Sequence, residues 1–97
     1  MKVWGRVRKD NKTIAESVVE IEAKTVEQVE DWSEPIGEIC HELDLGRPVI
    51  LQKHINDFNR FSHTFFKPRD FLEPVNLDRL EIELFCQAMH SFETTES

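Results

Sequence analysis

The sequence predicts a single α+β domain with elements in the order β-β-α-β-α-β-β: an N-terminal β-hairpin, one long amphipathic helix, a short second helix and an antiparallel or mixed sheet. Three observations predict it. Two strand-favouring stretches flank Asp10 and Asn11, apolar residues recur at spacings of three and four between Val29 and Leu43, and Leu80, Ile82 and Leu84 alternate with Glu81 and Glu83. The 97 residues suit one core and leave no room for a second.

Residues 2–9 and 13–22 favour strand, and Asp10 and Asn11 tolerate the left-handed backbone of a two-residue hairpin turn. A loop of two residues pairs Val7 with Ile14 and Val3 with Val18 on one apolar face. Trp4, Arg6 and Arg8 then share the other face with Ala15, Ser17 and Val19. Thr25 and Gln28 have the form of a capping box, and Val29, Trp32, Ile36, Ile39, Cys40 and Leu43 form the apolar stripe of the long helix. Pro35 is expected to kink or divide that helix after Trp32, with Ser33 free to cap a second segment, and Gly46 is the expected stop signal.

Beyond Arg47 and Pro48, residues 49–51 read as a short strand and residues 53–61 as a short helix carrying Ile55, Phe58 and Phe61. Residues 64–67 read as strand, Pro68 and Pro74 mark loops, and the alternation at 80–84 gives a half-buried last strand. The domain is expected to occupy residues 1–90, and residues 91–97 (SFETTES) to be a polar, frayed tail. One helical layer leaves the second face of the sheet partly bare, and Trp4 falls on that face.

The formal charge of −7 argues against indiscriminate binding to nucleic acid, which is driven by neutralising phosphates with Lys and Arg. The charge is segregated, however. Residues 1–12 carry five basic groups and one acid, residues 13–45 one and ten, residues 46–69 five and one, and residues 70–97 one and seven. The basic N-terminus is not followed by the apolar stretch of a secretory signal, and no run approaches the roughly 20 apolar residues of a membrane span. A cytoplasmic protein with no membrane contact is the expectation, with Cys40 and Cys86 as thiols rather than a bridge.

Candidate chemistry is sparse. His54 and Asp57 lie three apart on a helix and His63 just past its end, so two imidazoles and a carboxylate are weak candidates for a metal site, set against a plain solvated pair. Cys86 and His90 would be roughly 13 Å apart on a strand and do not chelate. Cys40 falls on the apolar stripe and His41 toward solvent. With three glycines there is no phosphate-cradling loop, and no nucleophile elbow is present. No catalytic residue, metal or cofactor is expected, and the chain reads as non-enzymatic.

Two binding candidates remain. The first is the basic aromatic segment 47–69, in which Arg47, Lys53, Arg60, Lys67 and Arg69 interleave with His54, His63 and phenylalanines. That composition suits single-stranded nucleic acid or an acidic partner, although Phe at helical spacing reads first as core. The second is Trp4 among Lys2, Arg6 and Arg8, either a recognition surface or an indole shielded by stacked guanidinium groups, the second reading being preferred. Opposite charge blocks and a half-covered sheet point to a protein-interaction or structural module acting through a protein partner or self-association. Nucleic acid is the first alternative and a metal-dependent enzyme at His54, Asp57 and His63 the second.

The runs MKVWGRVRKDNKTI, EICHELDLGRPVILQKHINDFNRF and DRLEIELF resemble a family of small uncharacterised bacterial proteins over most of the chain. The resemblance implies a stand-alone cytoplasmic α+β domain and brings no activity, cofactor or catalytic residue with it.

Overall fold

The computed structural model describes residues 1–85; expectations for the tail, Cys86 and His90 lie outside the described residues. Strands β1 (Lys2–Lys9), β2 (Lys12–Glu20), β3 (His63–Phe66) and β4 (Arg79–Phe85) form one antiparallel sheet in the order β2-β1-β4-β3. Helices α1 (Ser33–Glu42) and α2 (Gln52–Phe61) both cover one face of it, α1 over β1 and β2 and α2 beside β3. The fold is the expected α+β domain.

Asp10 and Asn11 take φ of 53° and 63°, the left-handed pair of a type I′ hairpin, and Lys9 faces Lys12 across the turn. The predicted register holds only for the first two pairs. The ladder then slips by one residue between Val7 and Arg8, so that Val7 pairs with Ala15 and Val3 with Val19. Because side chains alternate with period two, the slip exchanges the faces of β2 beyond it. Ala15, Ser17 and Val19 join the core side, while Ile14 and Val18 are left exposed. The expected Val3–Val18 and Val7–Ile14 pairs are thereby corrected.

The long predicted helix is shorter than its stripe. Residues Val26–Gln28 form a single 3-10 turn, and the α-helix begins only at Ser33, where the Asp31 carboxylate accepts the Ser33 N–H (3.0 Å) and hydroxyl (2.6 Å). These bonds hold the Asp31 carboxyl below its ordinary pKa. Pro35 sits in the first turn, where its missing N–H costs nothing, so the helix cannot extend backward through it. At the other end the stop is Asp44 rather than Gly46. Asp44 adopts φ 59°, Leu45 N–H reaches Cys40 O at 2.8 Å and Asp44 N–H reaches His41 O at 3.2 Å, the paired bonds of a Schellman motif.

Residues 49–51 form no strand; pairing there is reduced to one bridge between Pro48 and Phe71. The core lies between the sheet and the two helices. Val3, Val7, Val19, Phe66, Leu80 and Ile82 meet Ile36, Ile39 and Cys40 of α1 and Phe58 of α2. Cys40 is a free, buried thiol, and burial pushes its pKa up to about 11. Trp32 closes one end against Phe58 with ring centroids 4.5 Å apart. Of the phenylalanines clustered at 58–71, three are buried, whereas Phe61 and Phe65 are exposed, so the cluster is not wholly core.

Candidate functional site: the open face of the sheet

With both helices on one side, the other side of the sheet carries no covering element among the described residues. The registers place Lys2, Trp4, Arg6 and Arg8 of β1, Glu16, Val18 and Glu20 of β2, His63 and Phe65 of β3, and Arg79, Glu81, Glu83 and Phe85 of β4 on this face. Val18, Phe65 and Phe85 remain 51%, 43% and 42% exposed, too much for side chains that have found their packing partners.

Trp4 is the centre of a connected network. Its indole Nε1 donates to Glu16 Oε1 at 2.9 Å, the Arg6 guanidinium lies 4.7 Å above its ring, and Phe85 tilts against it at 5.5 Å. Arg6 also donates from Nη2 to Glu83 Oε1 at 2.7 Å, and its Nε lies 3.5 Å from Glu81 Oε1; Glu81 in turn accepts from Arg79 Nε at 2.9 Å. The guanidinium shield over Trp4 is thus present, built by Arg6. The face as a whole carries four cations (Lys2, Arg6, Arg8, Arg79) and four carboxylates (Glu16, Glu20, Glu81, Glu83), so it is locally neutral on a chain of −7.

The basic segment 47–69 is distributed rather than gathered. Arg47 leaves the end of α1 and folds back beside Gly37, into a groove of about 550 Å³ whose lining includes Glu34, Glu38 and Glu73. Its charge also helps hold Asp31 ionised. Lys53 and Arg60 are seven residues apart on the exposed side of α2, and Arg60 covers Phe61 at 5.3 Å. Lys67 lies beyond β3 over Phe65 at 5.8 Å, and Arg69 stands exposed in the 3-10 turn Pro68–Asp70. Of the five, Lys67 alone contacts the open face.

The triad of His54, Asp57 and His63 is not brought together. His54 is fully buried; its Nδ1 accepts the Leu51 N–H at 2.9 Å, its ring lies 4.2 Å from that of Phe66, and its Nε2 stops 3.9 Å from Asp70 Oδ2. It is a core histidine that caps α2. Asp57 accepts the Thr64 hydroxyl at 2.8 Å, and His63 is exposed on the open face with Nδ1 3.1 Å from Phe61 O. No group of three or more metal-ligating side chains occurs among the described residues.

Sequence reasoning missed Val18, Glu16, Phe65, Arg79, Glu81 and Glu83 as members of this face. The alternation around Leu80 already placed Arg79, Glu81 and Glu83 on an outer surface, a signal that pairing with Arg6 and Arg8 turns into a network. Val18 and Glu16 depended on the slipped register, which no local pattern announces. Compared with family models, curated proteins and solved structures, the chain matches none. No helix among the described residues is long and apolar enough to cross a membrane.

Proposed function

We propose that the protein is a non-enzymatic, cytoplasmic interaction module that acts through protein contacts, and that its contact surface is the open sheet face, taken by a second copy of the chain. The observation that carries this reading is a neutral, partly apolar face on an otherwise strongly acidic protein. Two copies at −7 repel everywhere except where charges balance. Four strands at about 4.8 Å spacing and seven residues at about 3.4 Å make a footprint of roughly 450 Å². Side-chain relief enlarges it, and it stays at the small end of specific interfaces, which suits a micromolar dimer rather than an obligate one.

The register also favours self-complementarity. A twofold axis along the strands, between β1 and β4, lays β1 of one copy on β4 of the other and β2 on β3. Arg6 then meets a second Glu81–Glu83 pair, and Val18 and Glu16 meet the β3 row of His63 and Phe65, at the roughly 10 Å separation of packed sheets. Sedimentation equilibrium tests it. A dimer is expected in low salt and a tighter one at 0.5 M salt, roughly a Debye length of 4 Å, where self-repulsion is screened and apolar contact survives. Val18→Lys, at an exposed position, should weaken it at least tenfold, about 1.4 kcal/mol. A strict monomer at millimolar concentration in both salts removes the reading.

The alternatives have less support. A polyanion on segment 47–69 would need its cations on one surface, and they are spread over several. A metal-dependent enzyme would need His54 to release the Leu51 N–H or turn out of the core.

A further inference from the structure

The groove of about 550 Å³ that receives Arg47 is built on two glycines. Gly37 sits inside α1, where glycine weakens a helix, and neither Gly37 nor Gly46 has the positive φ that would call for glycine. What each glycine admits is a charged side chain. A Cβ on Gly37 would lie 2.7 Å from Arg47 Nε and 2.8 Å from its Cζ, and a Cβ on Gly46 would lie 3.1 Å from Glu73 Oε1. Glu34, Glu38 and His41, at spacings of four and three on one exposed face of α1, and Leu45 complete the lining.

Opposite charges sharing a groove ordinarily pair, and these do not. Among the described residues the Arg47 guanidinium makes no hydrogen bond and no ion pair, and neither do the carboxylates of Glu34, Glu38 and Glu73. Asp31, on which the Arg47 charge acts, accepts the Ser33 N–H and hydroxyl instead. A guanidinium with its fork of donors open matches a carboxylate through two parallel bonds. Three glutamates against one arginine leave the lining at −2 with His41 neutral, which favours cations over a second anion on the same ligand. We infer that this groove binds a basic α-amino acid, its carboxylate on Arg47, its ammonium and side-chain cation among Glu34, Glu38 and Glu73, and its stem along Leu45. The volume falls within the roughly 300–1,000 Å³ of small-molecule sites. The inference does not rest on the dimer, since the groove runs along α1 and every residue of it comes from one chain.

The test is amide chemical-shift titration of the full chain at matched ionic strength with three probes: L-arginine, agmatine, which lacks the carboxylate, and L-norvaline, which lacks the side-chain cation. L-Arginine should move the amides of Gly37, His41 and Gly46 saturably, and each of the other two should bind roughly tenfold more weakly or worse. Arg47→Gln should weaken L-arginine binding by about the same factor. Gly37→Ala should do so too while melting no lower than the parent, because alanine favours the helix and the flexible Arg47 side chain yields to the new Cβ. Arg60→Gln, which removes a cation from α2, should leave binding unchanged. Equal binding of L-norvaline would overturn the subsite for the side-chain cation. The inference as a whole is overturned if L-arginine gives no saturable shift, if agmatine binds as tightly, or if either Arg47→Gln or Gly37→Ala keeps the parental affinity.

Discussion

Acidification should unfold this protein partly through one buried imidazole. Nδ1 of His54 accepts the Leu51 N–H at 2.9 Å, so the neutral ring carries its proton on Nε2, and a protonated ring could not accept that bond. Burial lowers the His54 pKa from 6.5; Asp70 and Asp57 pull the other way and Lys53 reinforces the lowering. Asp70 does not prevail, because 3.9 Å from Nε2 to its Oδ2 is too long for a hydrogen bond and that oxygen already accepts the Lys67 N–H at 2.9 Å. The unfolded chain therefore binds the proton more readily than the folded one. Stability from this group is complete above about pH 6.5 and falls as pH drops toward the lowered folded value, by up to about 1.4 kcal/mol per pH unit. The reference is His54→Leu, which fills the site without titrating and forfeits the cap, about 1 kcal/mol. Urea unfolding from pH 8 to pH 5 should find the parent more stable at pH 8 and the gap closing below about pH 6.5. A gap that stays constant or widens on acidification would refute the reasoning, and would mean that Asp70 keeps the imidazolium charged.

Three further outcomes follow from single positions. At Gly5 a Cβ would overlap Ile39 Cγ2, so Gly5→Ala should push α1 off β1 and cost about 1–3 kcal/mol in urea unfolding. Asp44→Gly should add about 0.5–1 kcal/mol, since the helix end at Asp44 requires a positive φ that glycine adopts freely. The Cys40 thiol, buried and raised to about 11, should resist an aromatic disulfide reagent at pH 8 in a Cys86→Ser background, and react fully once urea unfolds the chain.

The fold was legible where a local pattern had one consequence. Leu80, Ile82 and Leu84 alternate and become a buried row, and Asp10–Asn11 supplies the left-handed pair a tight hairpin needs. It was illegible where two elements had to negotiate. The Thr25–Gln28 capping pattern is genuine locally, yet Gln28 Oε1 accepts the Lys24 N–H around a single 3-10 turn, because Pro35 fixes where the α-helix starts and leaves the residues before it too few to continue. His54 looked like half of a surface pair because its spacing to Asp57 is helical. Its true orientation was set by Phe66, twelve residues away and across the core.

The slipped ladder between Val7 and Arg8 decides more about function than any single motif. Had β2 kept the register of its turn, Ser17 would have faced outward beside Trp4, and Val18 would have been buried against Val3. Instead the slip sets Val18 beside Trp4 on the open face and brings Glu16 within 2.9 Å of the indole nitrogen, while Ser17 on the helix side donates to Glu42 of α1. The charge pairs between β1 and β4 are independent of it: Arg6 meets Glu83 and Glu81 of β4, and Arg8, which keeps the register of the turn opposite Thr13, faces Arg79. The slip therefore accounts for the place of Val18 and Glu16 on the face, which join a β1–β4 network whose own register is regular throughout. Ile14 is the extra, unpaired residue at the slip, so deleting it would make the ladder regular and keep Val7–Ala15, Arg6–Glu16 and Trp4–Val18 as partners. Self-association should then survive the deletion in sedimentation equilibrium, and its loss would mean that the bulge itself, rather than the pairing that follows it, shapes the contact face.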